Sequence, residues 1–434
     1  MGSRFDALTN KEKEIYNLFY NALKNKKPDI LVLTSSIEGI SLINILIAVL
    51  RDNPEINDVI YDLKLTKELM KTRIGFYYKE SKTISKSEEV KVAPVTPSIS
   101  KPSLETFKLT SGDRHYYFST LNKEEKIAYQ NLLSAFRSFN EFCYVKRRGF
   151  NFDRLFDIFI GVLEDNPSVF YVDDRMDANI VGEYYLVKVT YSIRRHQVKS
   201  YEEKITEFLE NHFSKYRSGY SEYQKALIIH DFLVENMTYK DDGKSIRHNV
   251  IGPIFENVGV CEGFSELAKL IGDYIGVNIQ CIYGDIPHSD EGHMWNLVNI
   301  EGDWYHMDVT YDLGANDVIR VPHRYFLIPD SFASLNHYWV KKNYPLCNFT
   351  KYNYYIKEGL VFSERNALKD YIQKCMKNKV YETEFRYIGK GVTMDDISDM
   401  ALSTDLGMFR SINSVTYTYS VGDFSTYMIK WEVH

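Results

Sequence analysis

The stretch NVGVCEGFSELAKLIGDYIGV (257–277) limits what this chain can fold into more than any other. After Cys261, apolar residues recur at Phe264, Leu267, Ala268, Leu270, Ile271, Tyr274 and Ile275. That spacing is one face of an amphipathic helix, and Gly276 is placed to end it. Strand-like runs follow at once: VNIQCIYGDI (277–286), GHMWNLVNI (292–300) and DWYHMDVTYDL (303–313). The last two read as a hairpin turning at Glu301-Gly302.

Cys261 therefore falls at or just before the first helical turn. N–H groups without intrahelical partners and the positive end of the helix dipole favour an anion there, and a thiolate is such an anion. Gly259 and Gly263 leave room for another segment near the sulfur. A small buried residue that happens to begin a helix fits the same spacing. The hairpin adds a constraint. A two- or four-residue loop centred on Glu301-Gly302 pairs residues whose numbers sum to an odd value. His293 and Asp308 then share one face of adjacent strands, with Trp295 and His306 on the same face. A helix-start cysteine with a histidine and an aspartate on neighbouring strands suits thiol nucleophilic catalysis. The imidazole deprotonates the thiol, and the carboxylate orients the imidazole and stabilises its charged form. An ordinary cross-strand polar pair is the alternative.

The 434 residues allow two to four domains, and the apolar and charged fractions are those of a soluble globular chain. A net charge of −6 gives no electrostatic footprint for nucleic acid. Cys143, Cys261, Cys281, Cys347 and Cys375 are scattered, with no CxxC pair and no Cys/His metal spacing. The start, MGSRFDALTN, lacks a signal-peptide core, and ISLINILIAVL (40–50) is too short to span a bilayer. The expectation is no transmembrane segment and a cytoplasmic chain. Secretion or surface display is the alternative if an export signal has been removed.

The chain also repeats itself. LTNKEKEIYNLFYNAL (8–23) matches TLNKEEKIAYQNLLSAF (120–136), and IAVLRDNPEINDVIYD (47–62) matches IGVLEDNPSVFYVDD (160–174), about 112 residues apart each time. Each copy reads as two helices, a DNP turn that ends the second, and a strand at RIGFYYKE (73–80) or GEYYLVKVTYSI (182–193). Residues 81–113 are rich in Ser, Thr, Lys and Pro and read as a linker. The organisation read from the chain is a first α+β unit at 1–80, the linker, a second α+β unit at 114–197, a central domain at 198–350 and a small α+β module at 351–434.

GVCEGFSELAKLIGDYIGV, GHMWNLVNIEGDWYHMDVTYD and IIHDFLVENMTY resemble the transglutaminase-like superfamily, in the branch of bacterial proteins commonly labelled cysteine proteases. The likeness covers about residues 220 to 330, and the DNP repeats resemble segments found upstream of such domains. It implies an α+β, papain-like core: the cysteine's helix packed on an antiparallel sheet that carries the histidine and aspartate. It implies Cys261 as nucleophile, His293 as base and Asp308 as its orienting partner. The activity implied is acyl transfer from peptide or protein amides through a thioester, to water or to an amine. The Cys261 N–H is the first candidate oxyanion donor, and Asn249, Trp295 or Tyr283 the second. Mammalian transglutaminases use calcium, but no EF-hand pattern occurs, and no metal or cofactor is expected. The alternatives are a catalytically silent binding or scaffold protein and a cell-wall peptide remodelling enzyme.

Other polar residues have plainer readings. His230, inside a helix at 221–237, reads as structural. His306 reads as a flank of the site or a half-exposed strand residue, and His248 and His288 as cleft-wall loop residues. Trp304 reads as groove or core, Tyr311 and Asp312 as the end of the hairpin, and Cys281 as a buried small residue. GKG in FRYIGKGVT lacks the strand a phosphate loop needs. The tyrosine-rich runs EYYLVKVTY, KYNYYIK and SVTYTYS read as ligand-facing or edge strands, and cross-strand aromatic pairing accounts for them without a ligand.

Overall fold

The computed structural model describes residues 5, 8–33, 42–57, 60–67, 71–78, 115–287, 292–315, 319–389, 392–402, 412–421 and 424–433. The linker at 81–113 and His288 lie outside them.

The first unit runs α1 (Asn10–Lys24), β1 (Asp29–Leu33), α2 (Leu42–Asp52), α3 (Pro54–Asn57), β2 (Ile60–Lys67) and β3 (Lys71–Tyr78). After a short α4 (Tyr116–Thr120), the second runs α5 (Lys123–Ser138), β4 (Phe142–Lys146), α6 (Phe152–Asp165), a 3-10 turn at Pro167–Val169, β5 (Val172–Val181) and β6 (Tyr184–Tyr191). Both first helices start on a capping box, Thr9 with Glu12 and Asn122 with Glu125. The strands form one six-stranded sheet in the order β1-β3-β2-β5-β6-β4, joined where Lys67 of β2 meets Met176 of β5. Periodicity alone found only β3 and β6, because the other four strands are short or flank the turns.

The DNP segments do more than turn the chain. In the first unit the Tyr16 hydroxyl donates to Asp52 at 3.2 Å and accepts from the Asn53 amide at 3.1 Å, which also donates to the Val49 carbonyl at 2.8 Å. In the second, Tyr129 donates to Asp165 at 3.2 Å and accepts from Asn166 at 2.7 Å, and Asn166 donates to the Val162 carbonyl at 2.7 Å. Asp165 further accepts the Tyr117 and Phe118 N–H groups at 3.1 and 2.9 Å. Each network ties the end of one helix to the middle of another, so the polar groups that the turn buries are satisfied.

The central part runs α7 (Arg195–Phe213), α8 (Glu222–Asn236), β7 (Thr238–Tyr239), α9 (Ile251–Glu256), β8 (Val258–Gly259), α10 (Cys261–Ile275), β9 (Asn278–Asp285), β10 (Gly292–Ile300), β11 (Asp303–Met307), α11 (Val309–Leu313), β12 (Phe326–Ile328) and α12 (Asp330–Ala333). The four longer strands form an antiparallel sheet in the order β12-β11-β10-β9. α10 ends on Gly276 at φ 87°. It buries Phe264, Leu267, Ala268, Ile271 and Ile275 in one core with Ile279, Cys281, Met294, Val298, Tyr305 and Met307 of the sheet. Each large side chain fully buried there is worth about 1.5–3 kcal/mol. The same core continues into α5 and α6, so packing runs unbroken between the second repeat and the central part.

The β10–β11 turn has two residues, Glu301 at φ 53° and Gly302 at φ 95°, and Ile300 faces Asp303. Both φ values are positive, as the right-handed twist of a tight hairpin requires. The register has the odd-sum parity expected, with Leu297 opposite His306. The strand expected to reach residue 313 stops at Met307, because the Asp308 side chain accepts the Tyr311 N–H at 3.0 Å and starts α11.

The C-terminal part runs α13 (Tyr354–Lys357), β13 (Val361–Phe362), α14 (Arg365–Lys377), β14 (Glu382–Ile388), α15 (Met394–Leu402), β15 (Ile412–Val421) and β16 (Phe424–Val433), with sheet order β13-β14-β16-β15. KYNYYIK, expected as a strand, is the short helix α13; Tyr352 and Tyr355 are buried and fill core rather than face a ligand.

Tyr129→Phe keeps the ring and removes both hydrogen bonds, leaving Asp165 and Asn166 each a partner short. The expected loss is about 1–3 kcal/mol of stability, read as a lower urea midpoint. An unchanged midpoint would mean the network is ornamental.

Candidate active site

Cys261 is the first residue of α10, 8% exposed, after an extended Val260. The segment before α9 lies across the helix start. Val260 N–H donates to the Arg247 carbonyl at 3.1 Å. A Cβ on Gly263 would stand 2.5 Å from that same oxygen and 3.0 Å from the Asn249 carbonyl. Glycine is thus what lets residues 247–249 approach the first turn.

His293 is the second residue of β10. Its Nε2 lies 2.6 Å from Asp308 Oδ2, and the ring also interacts with the Cys261 thiol. All three side chains are buried. Burial pulls the His293 imidazole down. The Asp308 charge and hydrogen bond, and then Cys261, push it up to about 10. Burial raises the Asp308 carboxyl, but the facing His293 charge and two imidazole hydrogen bonds hold it well below the usual carboxylate range.

The second of those imidazoles is His337, whose Nε2 donates to the same Asp308 Oδ2 at 2.8 Å. Its other nitrogen bonds Asn336 at 2.8 Å. Nothing in the sequence pattern marks His337. It lies in SLNHYWV, outside any periodic run, and comes to the site only because the chain returns past α12.

The remaining candidates separate. Trp295 is buried and stacks near the His293 ring, with centroids 5.8 Å apart at 17°. Its indole N–H donates to His306 Nδ1 at 2.9 Å, so it is committed there and not to an oxyanion. His306 is fully buried rather than half-exposed, and its Nε2 bonds Asp330 at 2.8 Å. Tyr283 pairs with Met294, so it projects from the sheet face opposite to His293 and lines a separate cavity with Tyr338 and Tyr344. Asn249 lies at the helix start, its side-chain Oδ1 accepting the Ile251 N–H at 2.9 Å. His248 pairs with the Glu262 carboxylate, which holds its imidazole up at about 9. His248, Asn249, Glu262 and Glu266 line a cavity of about 320 Å³ with Glu164 and Asp174 of the second repeat, beside the cysteine's helical turn. Cys281 is buried in the sheet core, and Trp304 edges Tyr116. Asp312 and His230 bond each other at 3.0 Å under α11.

Among the described residues, three clusters bring together atoms that could ligate a metal: His293–Asp308–His337, His306–Asp330–Cys347 and His230–Asp231–His323. In the first, His293 Nε2 is bonded to Asp308 and the same ring interacts with the Cys261 thiol. In the second, both nitrogens of His306 are occupied, by Trp295 and Asp330.

Residues 185–309 match the family described as the transglutaminase-like superfamily, a span that contains Cys261, His293 and Asp308. This chain carries a transglutaminase-like domain. No curated protein matches the chain. Two solved structures are similar over part of it. A "TGase" is 12% identical over 34% of this chain and 47% of its own, with a TM-score of 0.24. A "Putative Cysteine Protease" from Cytophaga hutchinsonii is 13% identical over 31% of this chain and 61% of its own, with a TM-score of 0.22. The chain thus spans less than two thirds of either. The transglutaminase-like match ends just past Asp308, and His337 lies beyond it. Among the described residues, no helix is long and apolar enough to cross a membrane.

The pH dependence has a definite sign. An unfolded histidine titrates near about 6.5. The His293 interactions therefore stabilise the fold fully below that pH, and their contribution is lost as pH rises through about 10. Asp308→Asn removes the charge and keeps the volume, so burial should dominate and His293 should titrate below about 6.5, followed by imidazole NMR shifts. An imidazolium that persists at about pH 8 in the variant would show that Asp308 is not what charges it.

Proposed function

We propose that this chain is a thiol-dependent acyl-transfer enzyme acting on peptide or protein amides. The observation that carries the reading is the buried line from the Cys261 thiol through His293 to Asp308, with 2.6 Å between ring and carboxylate.

In this reading the proton shared by Cys261 and His293 rests on the imidazole, and the thiolate sulfur attacks an amide carbonyl carbon. The oxyanion meets N–H groups at the start of α10, which lack intrahelical acceptors, with the Asn249 side-chain amide as a further donor. The C–N bond breaks as the His293 imidazolium gives its proton to the leaving amine, and a thioester remains on Cys261. His293, neutral again, takes a proton from water or from a primary amine as that nucleophile attacks. The C–S bond then breaks and the thiol is restored. Asp308 keeps one tautomer and one orientation throughout, and His337 anchors Asp308. Water as acceptor makes the chain a protease or amidase, and an amine makes it a crosslinking or cyclising enzyme.

The test uses unfolded casein as acyl donor and a fluorescent primary amine as acceptor. Either new amino groups or covalently attached fluorophore should accumulate, and Cys261→Ala should abolish both. Intact-mass trapping with hydroxylamine reports the thioester. A folded wild-type chain that gives neither product nor trapped acyl group between about pH 5 and about pH 9 would favour a binding or scaffold role for the domain.

A further inference from the structure

We propose that His230, Asp231 and His323 form a binding site for one divalent transition-metal ion, zinc by its chemistry, where the transglutaminase-like core meets the C-terminal part. The site is separate from the Cys261 constellation and does not depend on the function proposed for it.

Three ligand atoms converge. Asp231 Oδ1 lies 3.0 Å from His230 Nδ1 and 2.9 Å from His323 Nε2, and all three atoms fall within 4.8 Å of one another. Metal–ligand bonds of about 2.0–2.2 Å place neighbouring ligand atoms roughly 3 Å apart, which matches the two distances to Asp231 Oδ1, the two nitrogens lying within 4.8 Å of each other.

The outer nitrogens make the stronger case. His230 Nε2 lies 3.0 Å from Asp312 Oδ2, and His323 Nδ1 lies 2.6 Å from Glu384 Oε1. Both carboxylates are buried and anchored. Asp312 accepts the Tyr325 N–H, and Glu384 accepts the Tyr355 hydroxyl at 2.6 Å and the His323 N–H at 3.2 Å. An imidazole that gives its outer N–H to a carboxylate presents a lone pair on the inner nitrogen, the arrangement that orients histidine ligands around metals. Here both inner nitrogens aim at one carboxylate oxygen, which is itself an acceptor. With both rings protonated these contacts are hydrogen bonds to Asp231; when the two inner protons leave, a single divalent ion takes their place and satisfies all three ligand atoms.

Access and ligand type fit as well. The His230 side chain is fully buried, while that of Asp231 is 36% exposed, so the ion would enter from the Asp231 side and keep water as a fourth ligand. Two imidazoles and a carboxylate suit zinc better than calcium or magnesium, which take oxygen sets. The ligands come from α8 and from the loop before β12, and Glu384 from β14 backs one of them. An ion there would tie the C-terminal part to the core. Ligands 92 positions apart follow no short motif, so spacing could not reveal them.

The test takes the full chain, strips it with a chelator, titrates it with zinc chloride under calorimetry, and melts it with and without the ion. Expected are one zinc per chain in the wild type and equally in Cys261→Ala, and a melting temperature raised by the ion. Asp231→Asn, at the exposed ligand, should weaken zinc tenfold or more, and zinc should raise its melting temperature less than it raises that of the wild type. Glu384→Gln should weaken it by about 10–100-fold through the outer hydrogen bond. A folded wild-type chain that takes up no zinc overturns the site. So does zinc uptake that is lost in Cys261→Ala and kept in Asp231→Asn.

Discussion

The site depends on one buried carboxylate. Asp308 takes an imidazole on each side of Oδ2, from His293 and His337, and its Oδ1 caps α11. Burying a charge is costly unless it is paired and hydrogen-bonded, and Asp308 is both. One side chain therefore does three things. It ends β11, it starts the helix that continues the core, and it fixes the ring that faces the thiol.

Around this carboxylate the fold is arranged in two opposed layers. One face of the sheet carries the apolar side chains that seat α10 and so hold Cys261 in place. The other carries Trp295 and Leu297 with Cys347 and Trp339, an aromatic layer that encloses the imidazoles and keeps water from them. The second repeat shares its core with the α10 layer and supplies Glu164 and Asp174 to the cavity beside the cysteine's turn. Its DNP network matters to the site through that shared packing, since a loose α6 would disturb the cavity wall.

The elements around the cysteine were legible in the sequence because each rests on short-range rules. Seven apolar positions and a terminal glycine define α10, and a Glu-Gly turn sets the parity of the hairpin. That parity places Trp295 and His306 on one face. Legibility ends where contacts are long-range. A cap on Tyr311 shortens β11 by an interaction that alternation does not see. His337 and His323 reach their partners through loops without periodicity. The roles of Asp52 and Asp165 came through as turn chemistry alone, because their tyrosine partners sit a helix away. Trp295, a reasonable oxyanion donor by its place on the strand, has its N–H committed to His306, and only the register together with the side-chain geometry reveals it.

The most direct measurement is the pH dependence of Cys261 alkylation by iodoacetamide, in the wild type and in His293→Ala. A charged His293 held by Asp308 predicts rapid labelling below neutral pH that disappears in the variant. Labelling that rises only where an ordinary thiol ionises, and is the same in both chains, would contradict the assembled thiol–imidazole–carboxylate line.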